Sequence, residues 1–411
     1  MASATKWPAI YIARNRERNN MKRSSIWNRN YTIVFLVNIL TAFSFHILTP
    51  TIPKYVVSIG STLEVAGFTA TAFTITAIVT RPIAGYYVDL KRKRVIMTSA
   101  LLIISAAILG YGFFRNTACV VLFRLLHGVG WGMATTATST VAVAALPEEK
   151  IGSGIGLFGI ASSIASVFAP NLGLELIERM GYFTMFLIAF SLAACGCLLS
   201  LAIDEGTLRK SQAAPEKKSL LQRVFAKQAA LPAVTILCVG LGMASISNFI
   251  VLFAEGMEIE NIGYFFTVAG AVMLVMRPLF GRLSDGKNSK KIVLIALVGY
   301  TSVFVVLGLA GSFPVFMLAA ALYGVFYGAL CPIVQTWCVK SVDVSQSGSA
   351  NSTYYTALDI GQGLGAALAG VLSANLGYRA MYFIMAIPQI CAIIVATITN
   401  LGYFRKKREA V

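Results

Sequence analysis

The sequence predicts an all-α polytopic membrane protein with 12 transmembrane helices in two pseudo-symmetric six-helix bundles. Three observations carry that prediction. Of the 411 residues, 57% are hydrophobic and 12% are charged, far from the balance of a soluble domain. Apolar stretches of about 20 residues, the length a bilayer core requires, recur along the chain with short polar breaks. Finally, the chain repeats its own residues at a constant shift of 196 positions.

Taken in order, the apolar spans fall near 31–53, 62–88, 95–114, 118–145, 151–174, 182–203, 229–254, 261–283, 291–310, 314–339, 348–374 and 379–402. Lipid offers no hydrogen bonds to the backbone, so spans of this length must be helices; barrel strands would be half as long and would alternate in polarity. The opening "MASATKWPAIYIARNRERNNMKRSS" has no apolar core of its own. It reads as a basic tail over 1–30 and not as a cleaved signal peptide, with Met1 or Met21 as the start. Residues 204–228 form the longest hydrophilic interruption and separate a first bundle, 31–203, from a second, 229–402; a basic tail follows at 403–411.

The net charge of +17 invites a nucleic-acid reading, but a bilayer dictates where such charge must lie. With the N-terminus cytoplasmic, the inner segments hold 27 Lys and Arg, and the outer loops hold four: Lys54, Arg115, Arg179 and Arg379. This asymmetry predicts both termini in the cytoplasm of a multi-pass plasma-membrane protein and makes nucleic acid an unneeded partner. Membrane lipid is the expected surrounding, and the chain is expected to be monomeric. The seven cysteines sit in or beside apolar spans, without metal-ligand spacing, and read as packing residues. Neither a metal nor an organic cofactor is expected.

The repeat is clearest in "RPIAGYYVDLKRKR" at 81–94 and "RPLFGRLSDGKNSKK" at 277–291, which pair Arg81 with Arg277, Pro82 with Pro278, Gly85 with Gly281 and Asp89 with Asp285. The same shift pairs Glu64 with Glu260, Gly67 with Gly263, Gly112 with Gly308, Gly128 with Gly324, Gly132 with Gly328, Gly152 with Gly348 and Met185 with Met381. Six helices is an even number, so both copies enter from the same side. That geometry implies a pseudo-two-fold axis along the membrane normal and a cavity between the copies.

On these residues the chain resembles the major facilitator superfamily from about residue 30 to 402. The family's loop motif, Gly-x-x-x-Asp-Arg/Lys-x-Gly-Arg/Lys-Arg/Lys, is matched at Gly85, Asp89, Lys93 and Arg94, while Leu90 and Arg92 depart from it. The resemblance implies a gating latch at Gly85, Asp89, Lys93, Arg94, Gly281 and Asp285. A carboxylate beside a helix N-terminus gains roughly 0.3 to 2 kcal/mol, so Asp89 is expected at the start of span 11 and Asp285 at the start of span 5. Span 5 is similar to the small-residue motif of the drug:proton antiporter branch through Gly156, Ala165, Ala169, Pro170 and Gly173, with Leu174 replacing its last glycine. This likeness points to export; ordinary glycine-rich packing explains the same stripe.

Ionisable groups inside spans are costly and so are functional candidates. Asp359 lies in span 11 with Ser352, Tyr355 and Gln362 on one face. Coupling to protons, contact with substrate and a structural hydrogen bond are its three readings. Arg124 and His127, in "RLLHG", resemble the family's helix 4 motif, Arg-x-x-Gln-Gly, whose arginine serves proton coupling; His127 replaces its glutamine. The face through Arg124, His127, Trp131, Thr135 and Thr138 is expected to line the cavity with Asn38, His46 and Thr49 of span 1. Tyr323, Tyr327 and Gln335 are the repeat counterparts of His127, Trp131 and Ser139 and join that lining, with Tyr355 and Gln362. Arg81 and Arg277 are expected to be scaffolding.

The predicted function is that of a secondary active transporter working by alternating access, exchanging incoming protons for an outgoing small amphipathic molecule. A proton-coupled uptake symporter is the first alternative, and a nontransporting membrane sensor the second. No Gly-x4-Gly-Lys-Ser/Thr loop occurs, which argues against ATP-driven pumping. No nucleophile with a base or metal cluster marks an enzyme.

Overall fold

The computed structural model describes residues 26–90, 93–147, 150–208, 226–284, 289–342 and 347–409. Ten helices make up the described chain: α1 Arg29–Ser58, α2 Leu63–Leu90, α3 Lys93–Phe113, α4 Thr117–Ala145, α5 Ile151–Ser200, α6 Ala230–Glu255, α7 Tyr264–Ser284, α8 Ser289–Leu309, α9 Phe313–Lys340 and α10 Ser347–Glu409. Nine apolar stretches among the described residues are long enough to cross a membrane, and 264–276 adds a shorter one.

Local chemistry sets the helix starts. Asn28 caps α1 by accepting from the Tyr31 N–H at 3.0 Å, and Asn116 caps α4 by accepting from Ala118 N–H at 2.9 Å, each satisfying a donor the helix leaves open. Within the helices, hydroxyls turn back on their own carbonyls, as Thr41 does to Val37 at 2.7 Å and Ser105 to Leu101 at 2.8 Å. Such bonds hide the polar group where no water is available.

Helices α5 and α10 each contain two of the predicted spans without an intervening loop. The break is a single residue, Gly181 with φ 79° and ψ 171° in α5 and Gly377 with φ 79° and ψ 165° in α10. That region of backbone space is essentially reserved for glycine. The contacts of α1 show the chain reversing there. Tyr31 bonds to Gly154 O and Asn38 to Phe158 O, running with the first arm, whereas Ser44 bonds to Ala189 O and Asn30 to Asp204 O, running against the second. In α10 the first arm runs along α6 with Gly361 on Leu237, and the second runs back with Gln389 on Cys238 O at 2.8 Å. Gly181 and Gly377 are themselves 196 residues apart.

The repeat also survives in packing. Gly128 of α4 lies against the Phe73 carbonyl of α2 and Gly324 of α9 against the Ala269 carbonyl of α7; a turn further along, Gly132 faces Ala77 and Gly328 faces Met273. Each pair maps onto its partner by the same shift. Two cores result, one drawn from residues 31–208 and the other from 226–396 with Leu174. Large apolar side chains cover the outside, including Leu102, Leu198, Val275, Ile295 and Leu309 at 63–67% exposure. Water would not tolerate such a surface, and lipid requires it.

Candidate functional site

The alternating run of helices gives the bundle two ends: a near end, where α1 begins at Arg29, and a far end, where it stops at Ser58. Contacts between the first and second parts of the chain gather toward the far end. Gly67 of α2 abuts the Ala366 carbonyl of α10, and a Cβ on Gly370 would stand 2.7 Å from Leu63 O. Thr71 donates to Gly363 O at 2.6 Å. Across the other seam Gly263, just before α7, abuts Asn171 of α5, and a Cβ on Gly270 would lie 2.8 Å from the Val167 Cα. Lys54 and Glu255 form an ion pair over the far end between α1 and α6. Nearer the near end no described glycine makes such a cross-seam approach: a Cβ on Gly85 would meet only Thr136 of α4, at 3.9 Å, and one on the exposed Gly159 would meet nothing within 4 Å.

Under the far-end seal lies a cavity of about 250 Å³ lined from α1, α2, α4, α5, α6, α7, α9 and α10. Of the residues singled out from the sequence, Arg124, His46, Thr49, Tyr323, Tyr327, Gln362 and Pro170 line it. Tyr323 and Tyr327 stack face to face with centroids 5.0 Å apart, and Tyr327 donates to the Met243 sulfur at 2.8 Å. Arg124 is 6% exposed. Its Nε donates to Thr69 O at 3.3 Å, its guanidinium sits 4.5 Å over the Phe73 ring, and it bonds to the Tyr111 hydroxyl. Tyr111 also meets His127 Nδ1 at 3.3 Å, and the fully buried His127 Nε2 has no partner among the described residues.

Other expected residues take different places. Trp131 stacks on Phe45, centroids 4.1 Å apart, behind the cavity wall. Thr135 donates to Trp131 O at 2.8 Å, Thr138 to Ala134 O at 2.8 Å and Asn38 to Phe158 O at 2.9 Å. Gln335 donates to the Tyr355 hydroxyl at 3.3 Å, with Tyr355 48% exposed on the near-end side. In the α5 stripe, Ala165 and Ala169 are fully buried, and Gly173 admits Ile47 of α1 so closely that a Cβ would sit 2.9 Å from its carbonyl. Gly156 lies on α5 and Gly281 on α7. Asp285 and the side chains of Asp89 and Arg277 lie outside the described residues. Lys93 donates to Val88 O at 3.3 Å, and Arg94 N–H meets Glu205 at 2.7 Å, both contacts within the first part of the chain.

Asp359 makes a contact that the sequence left without a partner. Its carboxylate forms an ion pair with Arg81 Nη1 across the α2–α10 seam, on the near-end side of the Gly363–Thr74 contact. Arg81, expected as scaffolding, is thus bound to the one acid in the middle of the bundle. Both side chains are part-exposed, at 27% and 17%. Sequence reading also passed over Tyr111, which joins Arg124 to His127. Its signal was a phenol inside span 3, where an unbonded hydroxyl would be costly.

A bundle whose packing repeats, with a solute-sized cavity lined from both halves and close cross-seam contacts gathered toward one end, has the form of a membrane transporter. The chain belongs to the major facilitator superfamily: the profile described as Major Facilitator Superfamily matches residues 34–300 and again 256–409. It is a multi-pass membrane protein of a transporter family. Among similar sequences is "Multidrug resistance protein MdtG" of Klebsiella pneumoniae (strain 342), 25% identical over 378 residues, spanning 88% of this chain and 90% of that protein. The protein of the same description from Citrobacter koseri (strain ATCC BAA-895 / CDC 4225-83 / SGSC4696) is 25% identical over 404 residues, spanning 94% and 97%. Similar solved structures include the human organic anion transporter MFSD10 (TETRAN), with TM-score 0.65, 18% identity and 90% and 99% coverage. The nucleoside transporter NupG has TM-score 0.72, 13% identity and 90% and 98% coverage. At these identities the structures speak for the fold alone.

Proposed function

We propose that the protein is a secondary transporter that works by alternating access and exports a small amphipathic organic molecule in exchange for protons. In this reading twelve spans form two six-helix bundles, 31–203 and 229–402, joined by a cytoplasmic linker at 204–228. Both termini, 1–30 and 403–411, lie in the cytoplasm of a cell carrying the protein as a monomer in its plasma membrane. The near end is then the inner end, and the structure corresponds to an inward-facing form. Asp89 and Asp285 latch that end when it closes.

The observation that carries the reading is the Arg81–Asp359 ion pair across the α2–α10 seam, on the near-end side of its close glycine contacts. Protonating Asp359 removes one charge and releases Arg81, so proton occupancy biases how the seam rests. His127 and Tyr111 extend a polar path beside the cavity. One elementary charge crossing 100 mV supplies about 2.3 kcal/mol, enough to concentrate a solute tens of fold. The description shared by the MdtG relatives, multidrug resistance protein, supports the outward direction.

The test is solute flux in proteoliposomes under an imposed pH gradient. Uptake against the solute gradient into vesicles loaded with acid, by protein inserted with its near end outward, supports export by exchange. Movement of proton and solute together makes the protein a symporter. Absence of any solute movement leaves only a sensor.

A further inference from the structure

The cavity has an uneven charge inventory. Of the 24 residues that line it, Arg124 alone carries a permanent charge; no Asp, Glu or Lys is among them. The rest of its polar lining is neutral: the Thr49 and Ser166 hydroxyls donate to the Phe45 and Ser163 carbonyls, and the Tyr323 phenol and the amides of Asn248 and Gln362 complete it. Arg124 is 6% exposed, and among the described residues it forms no ion pair. Its neighbours are a carbonyl, a phenol and an aromatic face, which orient a guanidinium without neutralising it. By contrast Arg81, Lys54 and Arg179 each have a carboxylate partner. A desolvated guanidinium has five N–H donors, and a buried charge is costly unless paired. The missing anion must come from whatever enters the cavity.

We infer that the transported solute is an organic anion, a carboxylate on an apolar aromatic or aliphatic body, with its charge held by Arg124. The apolar body fits against Phe45, Phe73, Phe266 and Met273, which supply most of the remaining wall. This assignment rests on the transporter reading and names the substrate class of the same cavity. The two charged centres then have separate roles, with Arg124 receiving the solute and Asp359, through Arg81, answering the proton.

The test uses three probes of one shape: 2-naphthoate, the neutral 2-naphthamide and the cationic 2-naphthylmethylammonium. Binding to purified full-length protein is read by quenching of Trp131 fluorescence, with transport of each probe measured in proteoliposomes. The expected result is binding of 2-naphthoate at least tenfold tighter than the amide, no saturable binding of the amine, and loss of the carboxylate preference in Arg124→Gln. Arg124→Lys, which keeps the charge, is expected to retain part of it. Equal or tighter binding of the amide or the amine, or no saturable binding of 2-naphthoate, overturns the inference. The comparison within the unaltered protein decides even if Arg124→Gln fails to fold. Transport of the amine with exclusion of 2-naphthoate would sink the anion assignment while leaving the transporter reading in place; absence of flux for all three would sink both.

Discussion

The two seams of the molecule, α2 against α10 and α7 against α5, are built alike but equipped differently. Gly67 on Ala366 answers Gly263 on Asn171, and Gly363 on Thr74 answers Val167 beneath Gly270, the last two pairs mapping onto each other by the shift. One turn nearer the open end the likeness stops. Asp359 pairs with Arg81 in one seam, whereas the residue 196 positions before Asp359 is Ser163, which lines the cavity. On the proposed mechanism duplicated packing lets both seams open and close, because glycine and alanine permit near backbone contact. Asp359 gives that motion a protonation-sensitive point midway along one seam, where the other carries Ser163. Had both seams carried one, two protons would act on the same movement.

The largest effect expected from breaking this asymmetry is in Asp359→Asn. Loss of proton-driven flux to background is expected in the proteoliposome assay. Removing one member of a buried pair costs about 3–5 kcal/mol, and the partial exposure of this pair brings the expected stability loss below that range. The double variant Asp359→Asn with Arg81→Gln should regain thermal stability in detergent without regaining flux. Recovery of both would reduce the pair to scaffolding.

Next in size, Gly67→Leu puts a side chain where the Ala366 carbonyl now sits. Overpacking of this kind costs about 1–3 kcal/mol, enough to shift a two-state population several-fold or more. Spin labels at positions 61 and 376 should move apart at the far end, while Gly159→Leu, with nothing within 4 Å of its Cβ, should leave far-end closure intact in the same measurement. Ser163→Asp in the Asp359→Asn background sharpens the comparison further. It moves the carboxylate to the equivalent place in the other seam, and partial return of proton-driven flux is expected. No return would mean that the surroundings of α2 and α10 matter beyond the repeated geometry. The smallest effect belongs to Lys54→Gln at the far-end ion pair with Glu255. Partly exposed pairs contribute about 0–1 kcal/mol, so a melting shift of a few degrees at most is expected, vanishing in high salt.

How much of this was legible beforehand varies by residue. The spans were plain because lipid imposes length and polarity on every one of them, and the 196-residue shift was readable through Gly128 and Gly324, whose reason is local: each must admit a neighbouring carbonyl. Gly181 and Gly377 obeyed the same shift and could have been found by it. Arg124, Tyr323 and Gln362 are among the residues that line the cavity. Trp131 and Asn38 sit on those same faces yet engage Phe45 and the Phe158 carbonyl instead, since a helical face specifies direction and not which neighbour arrives first.

The sequence by itself determined an apolar helical bundle, its doubling and the positions of its few buried charges, because the bilayer makes each of those a property of a single segment or a fixed spacing. Only the tertiary structure decided that Arg81 meets Asp359, that Arg124 meets no acid among the described residues, and that the close glycine contacts across the seams gather toward one end. Those outcomes join residues hundreds of positions apart along the chain, 278 for Arg81 and Asp359 and 292 for Thr71 and Gly363; their partners are chosen by how helices cross, which no local pattern records.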